Sequence, residues 1–299
     1  QTKAKLVPCA PESLRLSRFC EDQLAHHFVS IEKVYTNADQ FDILHFHLDY
    51  LHYPVSKRQR IPHVTTLHGR LDMPDLQPLY EMYPDIPLIS ISNSQREPLP
   101  NVNWIRTIYH GLPEDTHSFR PNPGKYLVFL GRISPEKRCD RAIRISKKTG
   151  IRLKIAAKVS RKDQEYHDQI IKPMLNHPAI EFVGEVNERE KDDLLGNALA
   201  LLFPIDWPEP FGLVMIEAMA CGTPVIAYRN GSVEEIVEHG KNGFIVDELP
   251  EAIHAVENIP SISRMECRNI FERRFSAARM AREYVEVYKE LIEAKKDVW

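Results

Sequence analysis

Two stretches of the chain gather residues suited to a charged, hydroxyl-rich ligand. The first is Gly131-Arg132-Ile133-Ser134-Pro135-Glu136-Lys137, where two cations stand five residues apart beyond an apolar run. Fixed cations at a strand-to-helix turn suit a diphosphate, because loop amides add to the positive potential. The stretch is neither a Walker A loop nor a GxGxxG loop, and the competing reading is a solvated charged turn. The second runs Glu209-Pro210-Phe211-Gly212-Leu213-Val214 and closes on Glu217. Gly212 lets a backbone approach a ligand closely, and first-turn amides of the helix that follows are free to donate. Such a helix start favours an anion or a dense set of hydroxyls. Glu209 before the helix and Glu217 two turns into it could face one pocket. The alternative is a pair of surface charges.

Histidines form a third group. His45 and His47 flank the end of one apolar run, His68 ends the next, and His110 ends a later one before Gly111. A zinc site is one reading, but no acidic or thiol ligand has compact spacing with them. Acid-base or hydrogen-bonding roles toward a polar ligand are the other reading. His26, His27, His52 and His63 read as surface or loop residues. Lys158 follows an apolar run and brings an ammonium toward the same crevice, unless it belongs to a solvated basic loop with Arg161 and Lys162. Asn230-Gly231-Ser232 reads as a turn with Ser232 as a helix cap. Trp207 either walls a pocket or packs half-buried.

The elements that must position these groups alternate. Strands are expected at 43–47, 64–67, 88–92 and 105–109, with a helix over 17–38. Residues 112–125 carry Pro113, Pro121, Pro123 and Gly124 and read as an interdomain linker. The rhythm then restarts, with strands at 126–130, 153–157, 180–183, 199–203, 224–227 and 244–246. Helices are expected at 138–148, 188–197, 213–220 and 233–238, and a long amphipathic one at 276–296. Gly131 is expected to end its strand. Strands separated by helical stretches imply βαβ units and parallel sheets, and two such runs imply two α/β domains. In open α/β sheets ligands bind beyond the carboxyl ends of the strands, where the residues above fall.

Composition excludes several classes. The chain has 299 residues, 39 Lys plus Arg against 42 Asp plus Glu, a formal net charge of -3, and 43% hydrophobic residues. That is enough chain for about two domains, and it is neither disordered nor basic enough to favour nucleic acid. The five cysteines have wide spacings and no CxxC, so a reducing, cytoplasmic setting is expected. No apolar run approaches the ~20 residues of a membrane span, though peripheral membrane contact is compatible with the composition.

Taken together, Phe129-Leu130-Gly131-Arg132 through Lys137, Glu209 through Glu217, Ala218-Met219-Ala220-Cys221-Gly222-Thr223-Pro224-Val225 and Asn242-Gly243-Phe244 resemble the retaining glycosyltransferases of family 4. Phe275-Ser276, Arg279-Met280, and in the first domain 41–47, 65–76 and Tyr109-His110-Gly111-Leu112, extend the likeness. The resemblance implies an α/β GT-B fold, two Rossmann-like domains facing a cleft. Residues 1–115, with 280–299 packing back, would form the acceptor-side domain, and 116–279 the nucleotide-sugar donor domain. It implies sugar transfer from a nucleotide-sugar donor with retention, to an unidentified acceptor, with no metal and no further cofactor. Arg132 and Lys137 would hold the donor diphosphate, Glu209 the sugar hydroxyls and Glu217 the ribose. Amides of Phe211, Gly212, Leu213 and Val214 would lie near sugar and phosphates, with Lys158 beside them. Gly184, Glu185 and Val186 would border the base, His68 the reacting sugar, and His110 and Gly111 the cleft. One departure stands out. The stretch 2–15 resembles a region some way into such a protein, no glycine precedes Gly69, and the first domain is expected to be incomplete at its N-terminus. The competing expectation is therefore an inactive or truncated GT-B protein that binds nucleotide or nucleotide sugar without transfer.

Overall fold

Short runs of β-branched and aliphatic residues fold into strands that are apolar on both faces, as parallel sheets covered by helices require. The computed structural model describes residues 3–14, 17 and 20–296. Thr2 and Arg15, which bound the stretch read as belonging further into the family's fold, lie outside the described residues. So do Arg18 and Phe19 of the expected helix 17–38, and the last three residues.

The chain divides into two compact units. Unit 1 takes in the described residues up to Ser90, Leu99–Thr107, and the chain from Val285 on. Unit 2 takes in Ile91–Pro98 and Ile108–Tyr284.

Unit 1 holds a four-stranded parallel sheet in the order β1 (Leu44–Phe46), β2 (His63–Thr66), β3 (Leu88–Ser90), β4 (Trp104–Thr107). The helix Gln23–Thr36 starts where the Asp22 carboxylate accepts from the amides of Leu24 and Ala25, six residues later than expected for 17–38. The core gathers Tyr53, Leu67, Tyr80, Leu88 and Leu99. The end of the helix Ala277–Lys296 belongs to this unit: Glu286 and Glu290 pair with Arg106 at 3.0 and 2.6 Å, and the Tyr288 hydroxyl meets His45 Nδ1 at 2.7 Å.

Unit 2 holds β5 (Tyr126–Ile133), β6 (Arg152–Val159), β7 (Ile180–Gly184), β8 (Ala200–Phe203), β9 (Val225–Tyr228) and β10 (Gly243–Val246). All pairings are parallel, in the order β10-β9-β8-β5-β6-β7. Side chains alternate between two cores: Val128, Leu201, Phe203, Val225 and Ala227 face one, while Leu127, Phe129, Leu202, Ile226 and Tyr228 face the other. The chain winds outward from β5 to β7, then crosses back to β8 and outward again. The order therefore reverses between β5 and β8, which is the switch point where doubly wound sheets bind ligands. There β5 keeps register with β6 as far as Ile133↔Val159, but leaves β8 after Val128↔Leu201. The crevice opens between the diverging ends.

Three boundaries correct the expectations from sequence. β5 does not stop at Gly131 but continues through Arg132 to Ile133, because β6 supplies a full ladder beside it. Lys158 lies inside β6 rather than after it. The next helix begins at Cys139, with Arg138 before it in a left-handed conformation at φ 51°.

Candidate functional site

Unit 2 brings the two chemical stretches together at the switch point. Arg132, the residue before the end of β5, pairs with Glu136 at 3.0 Å, i to i+4. A one-turn 3-10 helix, Pro135–Lys137, then turns the chain so that Lys137 reaches Glu209, 72 residues on. This ion pair is sheltered, the side chains being 17% and 13% exposed. The Trp207 indole N–H donates to the same carboxylate at 2.9 Å, and the Lys137 ammonium stands 5.1 Å from the Trp207 ring centroid. Trp207 thus walls the pair, its ring face offering the ammonium a cation–π contact.

The loop of Glu209 is held from a third element. Ser232 donates its N–H to the Glu209 carbonyl at 3.0 Å and its hydroxyl to the Phe211 carbonyl at 2.8 Å. Ser232 stands at the N-cap position of the short helix Val233–Ile236 as expected, but its hydroxyl makes no capping bond there and clamps this loop instead. Gly231, at φ 56°, is needed for the approach: a Cβ there would stand 2.4 Å from the Glu209 nitrogen. Gly212, at φ 80°, caps the helix Leu213–Ala220. A Cβ on it would press on Met215 and Phe203, at 2.8 and 2.9 Å. That helix presents its first-turn amides, of Leu213 and Val214, beside the loop.

Glu217 lies on the same helix and pairs with Lys191 at 2.7 Å, both side chains being largely sheltered. Lys191 comes from the helix Glu188–Gly196, started by an Asn187/Glu190 capping box. Its other carboxylate partner is Glu188, at 2.8 Å. Gly184 ends β7 at φ 85°. Glu185 pairs with Lys158 across 3.4 Å, and both side chains are well exposed. Val186 packs on the apolar core below Glu217's helix.

His110 and Gly111 pack within unit 2. The His110 ring meets Phe211 edge to face at 4.9 Å, and the carbonyls of Tyr109 and His110 accept from Arg279 at 2.8 and 3.0 Å. Leu112 is strapped to the other end of the unit: its N–H donates to Phe275 O at 2.9 Å, and its carbonyl accepts from Ala277 N at 2.8 Å. Glu235 accepts from the amides of Asn93 and Ser94 and from the Tyr109 hydroxyl. Burial, and then Glu235, push that hydroxyl up to about 12.

His45, His47 and His68 belong to unit 1. His47 Nδ1 meets His68 Nε2 at 2.8 Å, so one ring must donate and the other accept. His45 bonds Thr66 Oγ1 at 2.8 Å as well as Tyr288. Burial and the neighbouring imidazoles lower His45 to about 3, and burial lowers His47 and His68, so all three are neutral at pH 7. His52, read from sequence as a surface residue, is fully buried: its ring stacks on Phe46 at 3.8 Å, and Nε2 meets Thr65 Oγ1 at 2.8 Å.

One group of metal-ligand type is present among the described residues: His117, Asp192 and Cys221, whose ligand atoms lie within 4.8 Å of one another. Sequence spacing could not announce it, since the three are far apart in the chain. Arg120 lies 3.6 Å from the same Asp192 carboxylate, and Arg264 donates to the Cys221 carbonyl at 3.4 Å. These cations compete with any metal, and burial holds the Cys221 thiol protonated. Other residues that sequence reasoning missed are Arg138, Lys191, Glu235 and the clamp role of Ser232. Each acts through a partner distant in sequence.

Comparison with known proteins gives the family and the fold. Residues 114–282 match the family model described as glycosyl transferases group 1. An uncharacterized glycosyltransferase of Methanocaldococcus jannaschii is 26% identical over 300 residues, covering 84% of this chain and 76% of that protein. AviGT4, a glycosyltransferase involved in avilamycin A biosynthesis, superposes with a TM-score of 0.73 at 24% identity, over 93% of this chain and 80% of its own. Anabaena HepE, solved in complex with UDP and glucose, superposes with a TM-score of 0.74 at 19% identity, over 90% and 83%. The two structural likenesses establish a shared fold. No described helix is long and apolar enough to cross a membrane.

Proposed function

We propose, for a chain that belongs to the glycosyl transferases group 1 and is a GT-B enzyme moving a sugar from a nucleotide-sugar donor, that the donor lies along the crevice of unit 2 described above. The observation that carries this reading is the Lys137–Glu209 pair at the switch point, beside the amides of the helix Leu213–Ala220. The pair is complementary to a glycosyl diphosphate. The ammonium and Arg132 take the diphosphate, while the carboxylate takes sugar hydroxyls.

The charge logic follows. As the glycosidic bond breaks, negative charge grows on the leaving phosphate. In this reading Lys137, Arg132 and the helix amides lie beside that phosphate and stabilise the charge with little rearrangement. Fixed cations supply what a metal would otherwise supply, so we assign no metal to the reaction. The sheltered carboxylate nearby is Glu209, and it is already engaged by Lys137 and Trp207. We therefore assign proton acceptance from the acceptor hydroxyl to the departing phosphate, which goes with retention at the anomeric carbon. Glu217 is assigned to the ribose, the stretch Gly184–Val186 with Lys158 to the base end, Phe211 to the loop that carries the sugar, and His110 and Gly111 to its support. His68 is the unit 1 residue assigned to the reacting sugar, as a neutral hydrogen-bonding group. HepE was solved with UDP, which makes UDP-sugars the first donors to try. The five unpaired cysteines suit a reducing, cytosolic setting.

The test is donor turnover without acceptor. Lys137→Ala should lower the hydrolysis rate of the preferred UDP-, GDP- or ADP-sugar by about 10²–10³, the range for losing one fixed donor to a developing oxyanion. Near-wild-type hydrolysis would refute the assignment. Tight nucleotide binding with no turnover in the wild type would favour a binding protein instead.

A further inference from the structure

The geometry points to Arg138 as a positioning residue that locks the Lys137 turn to the Glu209 loop. This inference rests on the assignment of Lys137 and Glu209 to the donor.

Arg138 immediately follows Lys137. It is one of two described non-glycine residues with positive φ, at 51°. A glycine would adopt that conformation without strain, so the side chain must secure something that glycine cannot. Each of its three guanidinium nitrogens donates a hydrogen bond. Nε donates to Asp140 Oδ1 at 2.9 Å and Nη2 to Asp140 Oδ2 at 3.1 Å, a bidentate fork. Nη1 donates to Asp206 Oδ2 at 2.6 Å. Asp140 anchors the inner side. Its side chain is 5% exposed, and the Tyr166 hydroxyl donates to it at 2.9 Å. Burial pushes this carboxyl up, but the bonds from Arg138 and Tyr166 outweigh it and hold the group below its ordinary value.

Asp206 is the outer side. It heads the loop through Trp207 to Glu209, and its N–H donates to the Glu136 carbonyl at 2.9 Å. Arg141 adds a 3.2 Å contact to the same carboxylate. The segment carrying Lys137 and the segment carrying Glu209 are thus joined twice next to the site, once through backbone and once through Arg138.

The need for such a joint follows from the reaction. Lys137 and Glu209 restrain each other directly. A donor placed between them must break that ion pair and remove its restraint. The Arg138–Asp206 bridge is independent of the pair and persists when it opens. It keeps the ammonium and the carboxylate at the separation that a glycosyl diphosphate requires. A lysine at 138 has no fork and can reach one carboxylate at a time.

The test severs the bridge from its exposed end. Asp206 is 47% exposed, so Asp206→Ala should leave the melting temperature within about 2 °C, since exposed ion pairs add little. It should nevertheless raise amide exchange across 134–138 and 206–212. It should also lower kcat for UDP-glucose hydrolysis on the order of 10-fold to 10²-fold with KM changed less than about threefold, because a misplacement near 1 Å costs about that much. Arg138→Gly, which also relieves the strained φ, should show the same kcat loss, and Arg138→Lys should recover part of it. Unchanged exchange in Asp206→Ala would overturn the inference whatever the donor. Increased exchange with unchanged kcat, or a kcat loss that only parallels a fall in melting temperature, would overturn it too. A wild type that hydrolyses no UDP-, GDP- or ADP-sugar would sink the functional reading instead, and the exchange measurement would still decide whether Arg138 is the lock.

Discussion

Adding one methyl group at Gly231 tests the placement of the Glu209 loop. In Gly231→Ala the new Cβ would lie 2.4 Å from Glu209 N, 2.5 Å from Glu209 O and 2.7 Å from the Pro208 carbonyl carbon. All three are backbone atoms, so no side chain can swing aside. Ordinary contact begins near 3.4 Å, so the loop must retreat by about 1 Å. A displacement of that size at a positioned group costs on the order of 10²-fold in rate. The left-handed φ of 56° adds about 1–2 kcal/mol of backbone strain in the folded state. Gly150→Ala separates the two effects. Gly150 has a similar φ of 70°, and nothing lies within 4 Å of its would-be Cβ. It should lose a few degrees of melting temperature and retain full turnover. Steady-state hydrolysis of the preferred nucleotide sugar, read beside calorimetric melting for both variants, gives the comparison. If Gly231→Ala turned over within threefold of Gly150→Ala, the idea that the Asn230–Ser232 turn sets the catalytic position of Glu209 would be wrong.

Three further outcomes are expected. Burial and neighbouring His63 lower His52 to about 3, against about 6.5 in the unfolded chain, so its contribution to stability is complete above pH 6.5 and is lost as pH falls from there toward 3. From this group alone about 2 kcal/mol should be gone at pH 5, visible as faster amide exchange in β1 and β2, and His52→Phe should flatten that pH dependence; an unchanged slope would contradict it. Lys191→Met removes the ammonium 2.7 Å from Glu217, which should raise the donor KM about 5–10-fold with little change in kcat, and an unaltered KM would detach Glu217 from nucleotide binding. Transfer in excess EDTA should equal transfer in plain buffer, whereas a loss restored by zinc in wild type but not in His117→Ala would implicate the His117, Asp192 and Cys221 group.

The sequence carried the parts of the fold that depend on local pattern. The central strands β8 and β9 of unit 2 appear as apolar runs because both their faces are buried, and the helix Leu213–Ala220 is bounded by Gly212 and the Cys221-Gly222 turn where it was expected. Gly131 misled, since glycine reads as a stop, yet β5 runs through it because β6 stays paired beside it as far as Ile133. Cationic and acidic residues of the site could be picked out by type and spacing, but their pairings could not. Lys137 meets Glu209, Glu217 meets Lys191, and Arg138 meets Asp206 only because the order reversal between β5 and β8 brings their loops together. His52 was misplaced for a similar reason. Its hydroxyl partners, Ser56 and Thr65, are what permit a neutral imidazole in the core, and one of them comes from another element.

The last turns of the helix Ala277–Lys296 have a consequence for biosynthesis. Unit 2 is continuous apart from residues 91–98, and the strap between Leu112 and Phe275–Ala277 closes it as soon as that part of the chain leaves the ribosome. Unit 1, although most of it is made first, is missing the partners of His45 and Arg106 until Glu286, Tyr288 and Glu290 emerge. The first-synthesised unit is therefore the last to be completed. Its parallel strands must wait on the nascent chain, the stage at which exposed strand edges invite chaperone capture or misassembly. Cutting the chain before Glu286 would remove the partners of His45 and Arg106 while leaving the sheet of unit 2 intact.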